Sequence, residues 1–394
     1  MQPVKKIFFL LISSVLIVSC KNSNQNTNNI IDGRNTKELI VDQSIQICED
    51  EDYFKECVPV FLETNSNSLI KKIDKIMLDD DFLFVFDRSM NNVVIFNKNG
   101  DYISRISSVG IGQGEYKQLT DVCIDPVKKQ IVLCPDYPNK LMFFDYSGNF
   151  LHEKSIKELY REIVMIDEHF YLLRSMPHKD KENPCFLSRI DNDTFGEDCF
   201  FTPPTISDSP FFDFGHLLTR GKSDVFFTTR YNNSIYKITP EKIEKAYNID
   251  FKSENLPDKY NTKDIAAEDL KEISSPGSPY VYSISEVNDN SGYLSFKTNK
   301  PGFYIYKKSD ERLTFFNSLH ISQYEIYSGR MQHIENAENI IAFLIDPGFL
   351  MQFKKVAEEK NISISQQTLE FINKVKSDDN PIVFLCEFKN QQEH

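Results

Sequence analysis

Four basic residues occupy one recurring place in this chain. Arg88 follows FLFVFD, Arg174 follows FYLL, Arg230 follows VFFTT and Lys297 follows YLSF. Arg88 and Arg230 are 142 residues apart, and so are Asn91 and Asn233. The tripeptide Arg-Ser-Met also recurs, at 88–90 and at 174–176. If these places converge in the fold they form a partial collar of cations, whose chemistry is anion binding. A guanidinium is a planar fork that grips carboxylate or phosphate through two parallel hydrogen bonds. In an acidic chain, such a local positive ring also focuses anions. The opposing reading is internal pairing with an acid such as Asp87, Asp136 or Asp213, because buried charge needs a partner. One copy departs from the pattern and carries Asp136-Tyr137 there, which adds Tyr137 to the candidate ligand contacts.

A second candidate is SSVGIGQGEYKQL at 107–119. Its glycines permit unusual φ and close backbone approach, and Glu115 and Tyr116 offer polar contacts. No Lys-Ser/Thr pair follows and no helix start is expected, so this is not a phosphate loop. The competing role is a structural turn between two repeats.

Catalytic patterns are lacking. There is no G-x-S-x-G and no H-E-x-x-H, and the seven histidines are scattered without paired spacing. No Cys/His spacing suggests zinc, so neither metal nor cofactor is expected. Acid runs such as Asp79-Asp80-Asp81 suit solvated turns. The leading expectation is a binding module for a protein, peptide or glycan. The rival is a hydrolase or lyase with a metal at the channel mouth, and a passive structural module is the third reading.

The basic residues need a repeat to position them, and the chain has one. Residues 73–106 and 120–154 carry matching features: Leu78-Asp79 is answered by Ile124-Asp125, and Asn91, Phe96 and Gly100 by Asn139, Phe144 and Gly148. Each copy holds four short apolar runs, and a period of about 40–50 residues of this kind marks a propeller blade. Asn97–Gly100 and Asp145–Gly148 supply the positive φ that tight hairpins demand. Weaker copies continue to residue 388, and VPVFLE at 58–63 is an orphan strand. The expectation is an all-β fold over 58–388, a six-bladed β-propeller of four-stranded antiparallel blades. The N-terminal strand closes it, and helical insertions lie near 256–273 and 349–376. Blade six is expected to open at Tyr324–Tyr327, and 389–394 is a tail.

The start of the chain reads as an address. Lys5 and Lys6 precede an apolar run from Ile7 to Val18, shorter than the roughly 20 residues a spanning helix needs. Ile17-Val18-Ser19-Cys20 resembles the lipid-attachment box of bacterial lipoproteins, so Cys20 is the expected lipidation site and membrane anchor after loss of residues 1–19. KNSNQNTNN follows as a flexible tether, within an extension running to residue 57. The leader holds two lysines and no acid, so its removal takes the net charge from −13 to −15. That acidity argues against nucleic-acid binding. In an oxidising compartment, Cys185 with Cys199 and Cys48 with Cys57 are conceivable bridges. Cys123, Cys134 and Cys386 read as buried apolar cysteines.

NNVVIFNKNGDYISRI (91–106), GIGQGEY (110–116), DVCID (121–125) and NNSIYKI (232–238) together resemble the six-bladed β-propeller lipoproteins of Gram-negative envelopes. These are relatives of NHL-repeat and TolB-like propellers. The resemblance implies that fold and an outer-membrane lipoprotein address, and little about chemistry.

Overall fold

The computed structural model describes residues 31–174, 185–201, 215–239, 242–260, 267–275 and 277–390. The leader, Cys20, the tether, the loop at 175–184 and Asp213 lie outside the described residues.

The repeat folds as expected into antiparallel arrays. The first comprises Lys75–Asp79, Phe82–Asp87, Asn92–Asn97 and Tyr102–Ile106. The second runs from Leu119–Asp125 to Phe150–Ser155 and the third from Tyr160–Ile166 to Glu197–Phe201. The fourth runs from Leu218–Arg220 to Ile243–Asp250 and the fifth from Ile284–Asp289 to Arg312–Ile321. A sixth places Met331–Gln332, Ile340–Ile345, Ile382–Phe388 and Phe54–Phe61 side by side. The architecture is mostly β and propeller-like. Its inner strands are buried on both faces, because apolar clusters fill the space between consecutive arrays. Met77, Phe84 and Ile95 of the first array pack on Val122, Ile131 and Met142 of the second. Val60, Ala342 and Val383 of the sixth pack on Ile76, Val85 and Val94 of the first. Gly100 turns at φ 94°, and any side chain there would strike the Phe61 carbonyl, so this turn must be glycine.

The N-terminal region departs from expectation. The extension expected up to residue 57 contains a 13-residue strand, Lys37–Glu49. It lies parallel to both Ile243–Asp250 and Arg312–Ile321 and fuses the fourth and fifth arrays into one sheet. Leu39, Val41 and Cys48 point inward, but the register shifts between Asp42 and Gln46. That break destroys the period-two pattern by which a strand is recognised. The orphan strand starts earlier than expected, at Phe54, and does pair with Ile382–Phe388. Tyr324–Tyr327 does not open the sixth array. Ser322–Tyr324 is a 3-10 turn and Ile326–Ser328 folds back on Arg312–Ile321. The opening strand is Met331–Gln332, and Ile334–Glu335 pairs in parallel with Lys75–Asp79. Two-residue strands are too short to show periodicity.

The helical insertions appear as Ala267–Ile273, Pro347–Lys360 and Gln366–Ile372. Asp346 and Ser365 cap the last two, accepting from Gly348 N at 2.8 Å and Thr368 N at 3.2 Å. Among the described residues, no helix is long and apolar enough to cross a membrane.

Cys185 and Cys199 are bridged, one of the two pairings left open by the sequence. Cys57 joins Cys386, not Cys48, which is buried and free with Cys123 and Cys134. Cys386, expected as an apolar thiol, is directly opposite Cys57 in the strand register. This bridge ties strands 329 positions apart and so restricts a very long loop of the unfolded chain. Replacing Cys57 and Cys386 together by alanine should lower the unfolding free energy by about 2–4 kcal/mol. Urea denaturation without reductant measures this, and an unchanged midpoint would show that the bridge carries no stability.

Candidate functional site

The opening strands carry charged residues among their apolar ones, and several of these meet at the centre of the molecule. The Lys75 ammonium lies 3.0 Å from Asp121 Oδ2 and 2.9 Å from Glu335 Oε2. It also donates to the carbonyls of Val122 (2.8 Å) and Ile163 (3.0 Å). One side chain of the first array thus holds the second and third arrays and the Ile334–Glu335 segment that joins the sixth array to the first. Arg220 Nη1 donates to the Ile124 carbonyl at 3.2 Å, linking the fourth array to the second. Glu162 accepts from Leu218 N at 2.8 Å, linking the third to the fourth. Glu286 of the fifth accepts from His216 N (3.0 Å), His333 N (3.0 Å) and Gln332 Nε2 (2.9 Å).

Electrostatics keep this centre charged. Burial alone would strip the proton from Lys75, but Asp121 and Glu335 outweigh it and raise its pKa. Burial pushes Glu162 up. Burial would also push Glu286 up, yet His216, Lys297 and the amide it accepts from bring its pKa below the usual carboxylate value. His333 is pulled down to about 4, chiefly by burial, and is neutral at physiological pH. The Nε2 atoms of His216 and His333 each lie 2.9 Å from a carbonyl, of Asp74 and Arg220. A carbonyl only accepts, so each Nε2 carries the proton.

His216, Glu286 and Gln332 also form the floor of a cavity of about 500 Å³. Five basic residues line it, Lys72, Arg88, Lys297, Lys300 and Arg330, against two acids, Asp74 and Glu286. Lys72 pairs with Asp74 at 2.7 Å and Lys300 with Glu254 at 3.0 Å. Among the described residues, Lys297 and Arg330 have no carboxylate within the 4.0 Å of an ion pair. Glu286 sits at φ 55° where the register slips between Ser285 and Asn288. A bulky residue at positive φ is strained, and such strain persists where surrounding contacts over-determine it. Here three hydrogen bonds hold the floor. The arrangement supplies a fixed carboxylate at the floor and basic side chains around it.

Residues 42–387 match a family model described as a domain of unknown function, DUF4934. The chain belongs to the DUF4934 family. No curated protein matches it. Among solved structures it is similar to a protein of Bacteroides fragilis NCTC 9343 provisionally described as exported. That match has 17% identity and a TM-score of 0.69, covering 90% of this chain and 99% of that one. A DUF4221-family member of Bacteroides vulgatus matches with 12% identity and a TM-score of 0.48, over 85% and 97% of the two chains. The first likeness shows that the DUF4934 chain shares a fold with that protein.

Of the four recurrent basic residues in this DUF4934 chain, the structure brings Arg88 and Lys297 to one cavity. Arg174 is buried within its own array, 3.4 Å from Glu197 and 3.9 Å from Glu158, with its guanidinium 5.9 Å above the Tyr160 ring. Arg230 is half-buried and lies outside the cavity lining. Asp87 is occupied by turn hydrogen bonds from Lys71 N (2.6 Å), Lys72 N (3.0 Å) and Met90 N (2.9 Å). Glu115 accepts from Gly112 N within its loop, at 2.8 Å. The Tyr116 ring is fully buried and its hydroxyl donates to the Asn91 carbonyl at 2.9 Å, so it cannot reach a ligand. Tyr137 is exposed, with Lys117 Nζ 5.2 Å from its ring centroid. Among the described residues, no group of three or more His, Cys, Asp or Glu could hold a metal. Sequence reasoning missed Lys72, Lys300, Arg330 and the whole central network. The available signal was a charged residue flanked by apolar ones in the opening strands, such as Lys75 before Ile76-Met77-Leu78 and Glu286 before Val287.

Lys75→Met should strand two buried carboxylates and cost about 3–5 kcal/mol. Lys72→Met, which removes an exposed lysine and leaves Asp74 still accepting from Arg88 N, should cost about 1 kcal/mol or less. Equal urea midpoints for the two variants would refute the assigned role of Lys75.

Proposed function

We propose that this chain is an exported, lipid-anchored binding protein that captures an anionic ligand at the cavity lined by Lys72, Arg88, Lys297, Lys300 and Arg330. The observation that carries the reading is the pair Lys297 and Arg330, two cations that among the described residues have no carboxylate at ion-pair distance, lining a cavity in a chain of net charge −13. Most cations of such a surface are spent on nearby acids. Two left facing one cavity raise the local potential for anions, and the Arg330 guanidinium adds hydrogen-bond donors.

The scaffold in this reading is a ring of six blades, with Phe54–Phe61 as the outer strand of the last. The supporting observation is the apolar cluster between the sixth and first arrays, equivalent to those between other neighbours. Ring closure leaves no open sheet edge. An export route accords with the leader pattern at 1–19 and with two disulfides, which persist in oxidising compartments. Cys20 would carry the lipid and hold the domain at the outer membrane.

Differential scanning fluorimetry of the full chain with citrate, phosphate and sulfate tests the site. At 100 times its Kd a ligand should stabilise by about 2.7 kcal/mol. The double variant Lys297→Met, Arg330→Met should lose that gain, read as the shift from its own ligand-free midpoint. A flat response of the parent to all three anions would refute the site. Separately, Cys20→Ser should move the protein from the membrane fraction to the soluble fraction. Retention in the membrane fraction would refute lipid anchoring there.

A further inference from the structure

The turn that brings Arg88 to the cavity also begins a row of exposed apolar residues, here called the shelf. Arg88 lines the cavity, and Met90, two residues on, is exposed. The turn carrying both is stitched to the loop at 107–118. Asn91 Nδ2 donates to the Lys117 carbonyl at 2.8 Å, and Leu119 N donates to Asn91 Oδ1 at 2.7 Å. That loop is bonded in turn to the equivalent turn of the second array. Lys117 N donates to the Tyr137 carbonyl at 3.4 Å and Asp136 N to the Gln118 carbonyl at 2.9 Å. Three segments therefore make one continuous surface beside the cavity. Its outermost apolar groups are Val109, Ile111 and Tyr137, at 59%, 79% and 58% exposure.

Single exposed apolar residues are ordinary. These differ because their loop is fixed. Gly110 N donates to the Tyr116 carbonyl at 2.8 Å and Glu115 N to the Gly112 carbonyl at 3.1 Å. A side chain at Gly110 would collide with the Glu115 carboxylate. Tyr116 anchors the loop base in the core between the first two arrays. The loop thus holds Val109 and Ile111 out in water, and a partner covering them would bear little ordering cost.

We propose that cavity and shelf together bind the C-terminal segment of a peptide. The terminal carboxylate sits among Arg88, Lys297 and Arg330, and the preceding apolar side chains lie across Met90, Val109, Ile111 and Tyr137. This deepens the anion-binding reading of the cavity and rests on it. An open shelf gives a fatty acyl chain no enclosure. Exposed Gln113, Lys117 and Gln118 alongside it provide partners for a peptide main chain. The Tyr137 ring is a poor stacking platform for a sugar, because Lys117 covers a face of it.

The test passes random heptapeptides over the immobilised full chain, as free-acid and C-terminally amidated pools, and sequences the retained fraction by mass spectrometry. Loss of one charge-assisted contact is worth roughly a factor of 10, so acids should be retained at least about 10-fold over amides. Leu, Ile, Val, Met or Phe should be enriched in the positions before the terminus. Ile111→Asp should abolish the side-chain preference but leave citrate stabilisation intact. Lys297→Met with Arg330→Met should abolish the acid preference. No enrichment of acids, or an apolar preference that survives Ile111→Asp, overturns the proposal. If citrate still stabilises the parent, only the peptide assignment falls. If it does not, the cavity reading falls as well.

Discussion

Lys75 carries a full charge where water is absent. Moving an ammonium into such a place costs several kcal/mol, and a single carboxylate repays this only with good geometry and further hydrogen bonds. Lys75 has two carboxylates and two carbonyls, drawn from the second and third arrays and from the Ile334–Glu335 segment that joins the sixth array to the first. Its favourable state exists only when those arrays are all in place. The apolar clusters between arrays supply most of the driving force, but they are tolerant of small slips and rotations. The central ion cluster is not, since a displacement of an ångström would leave three buried charges poorly solvated. It therefore acts as the register device of the fold, and the floor of the cavity inherits its positions from it.

The same logic explains why Glu286 can occupy a strained backbone. Its φ of 55° places the carboxylate where two backbone amides and Gln332 converge. Two of those donors come from the sixth array and one from the segment leading into the fourth. Strain of this size, on the order of 1–3 kcal/mol, is held by neighbours. A carboxylate at the base of a cation-lined cavity also has an electrostatic effect. It would limit how deeply an anion could enter, and so favours anionic charge near the less buried Lys297 and Arg330.

Legibility followed the range of the interactions. The hairpin turns at Asn97–Gly100 and Asp145–Gly148 are local and were read directly, as were the apolar runs they join. The Lys37–Glu49 strand was not, because its inward set of Leu39, Val41 and Cys48 is broken by the slip after Asp42. Its partners are more than 190 residues away. Cys57 and Cys386 likewise meet only through the pairing of the first and last strands of the sixth array. The recurrent basic residues gave half of a site. Repeat equivalence correctly took Arg88 and Lys297 to one cavity, yet equivalent positions diverge once local acids intervene, as Glu197 and Glu158 do at Arg174.

That divergence bears on how a repeat scaffold acquires a site. Six similar arrays offer six similar turns, and symmetry alone would spread charge evenly around the centre. Here the cations concentrate where the first, fifth and sixth arrays meet, while the turns of the first and second arrays expose Met90 and Tyr137. The loop at 107–118 shapes the second half of this asymmetry. Glu115, which sequence reasoning assigned to a ligand, is spent on Gly112 inside the loop, and Tyr116 is spent on the core. Their consumption is what allows Val109 and Ile111 to stand outward in a fixed place. A surface with charge at one end and rigid apolar contacts at the other selects for ligands with the same polarity along their length, which a uniform cationic ring could not do.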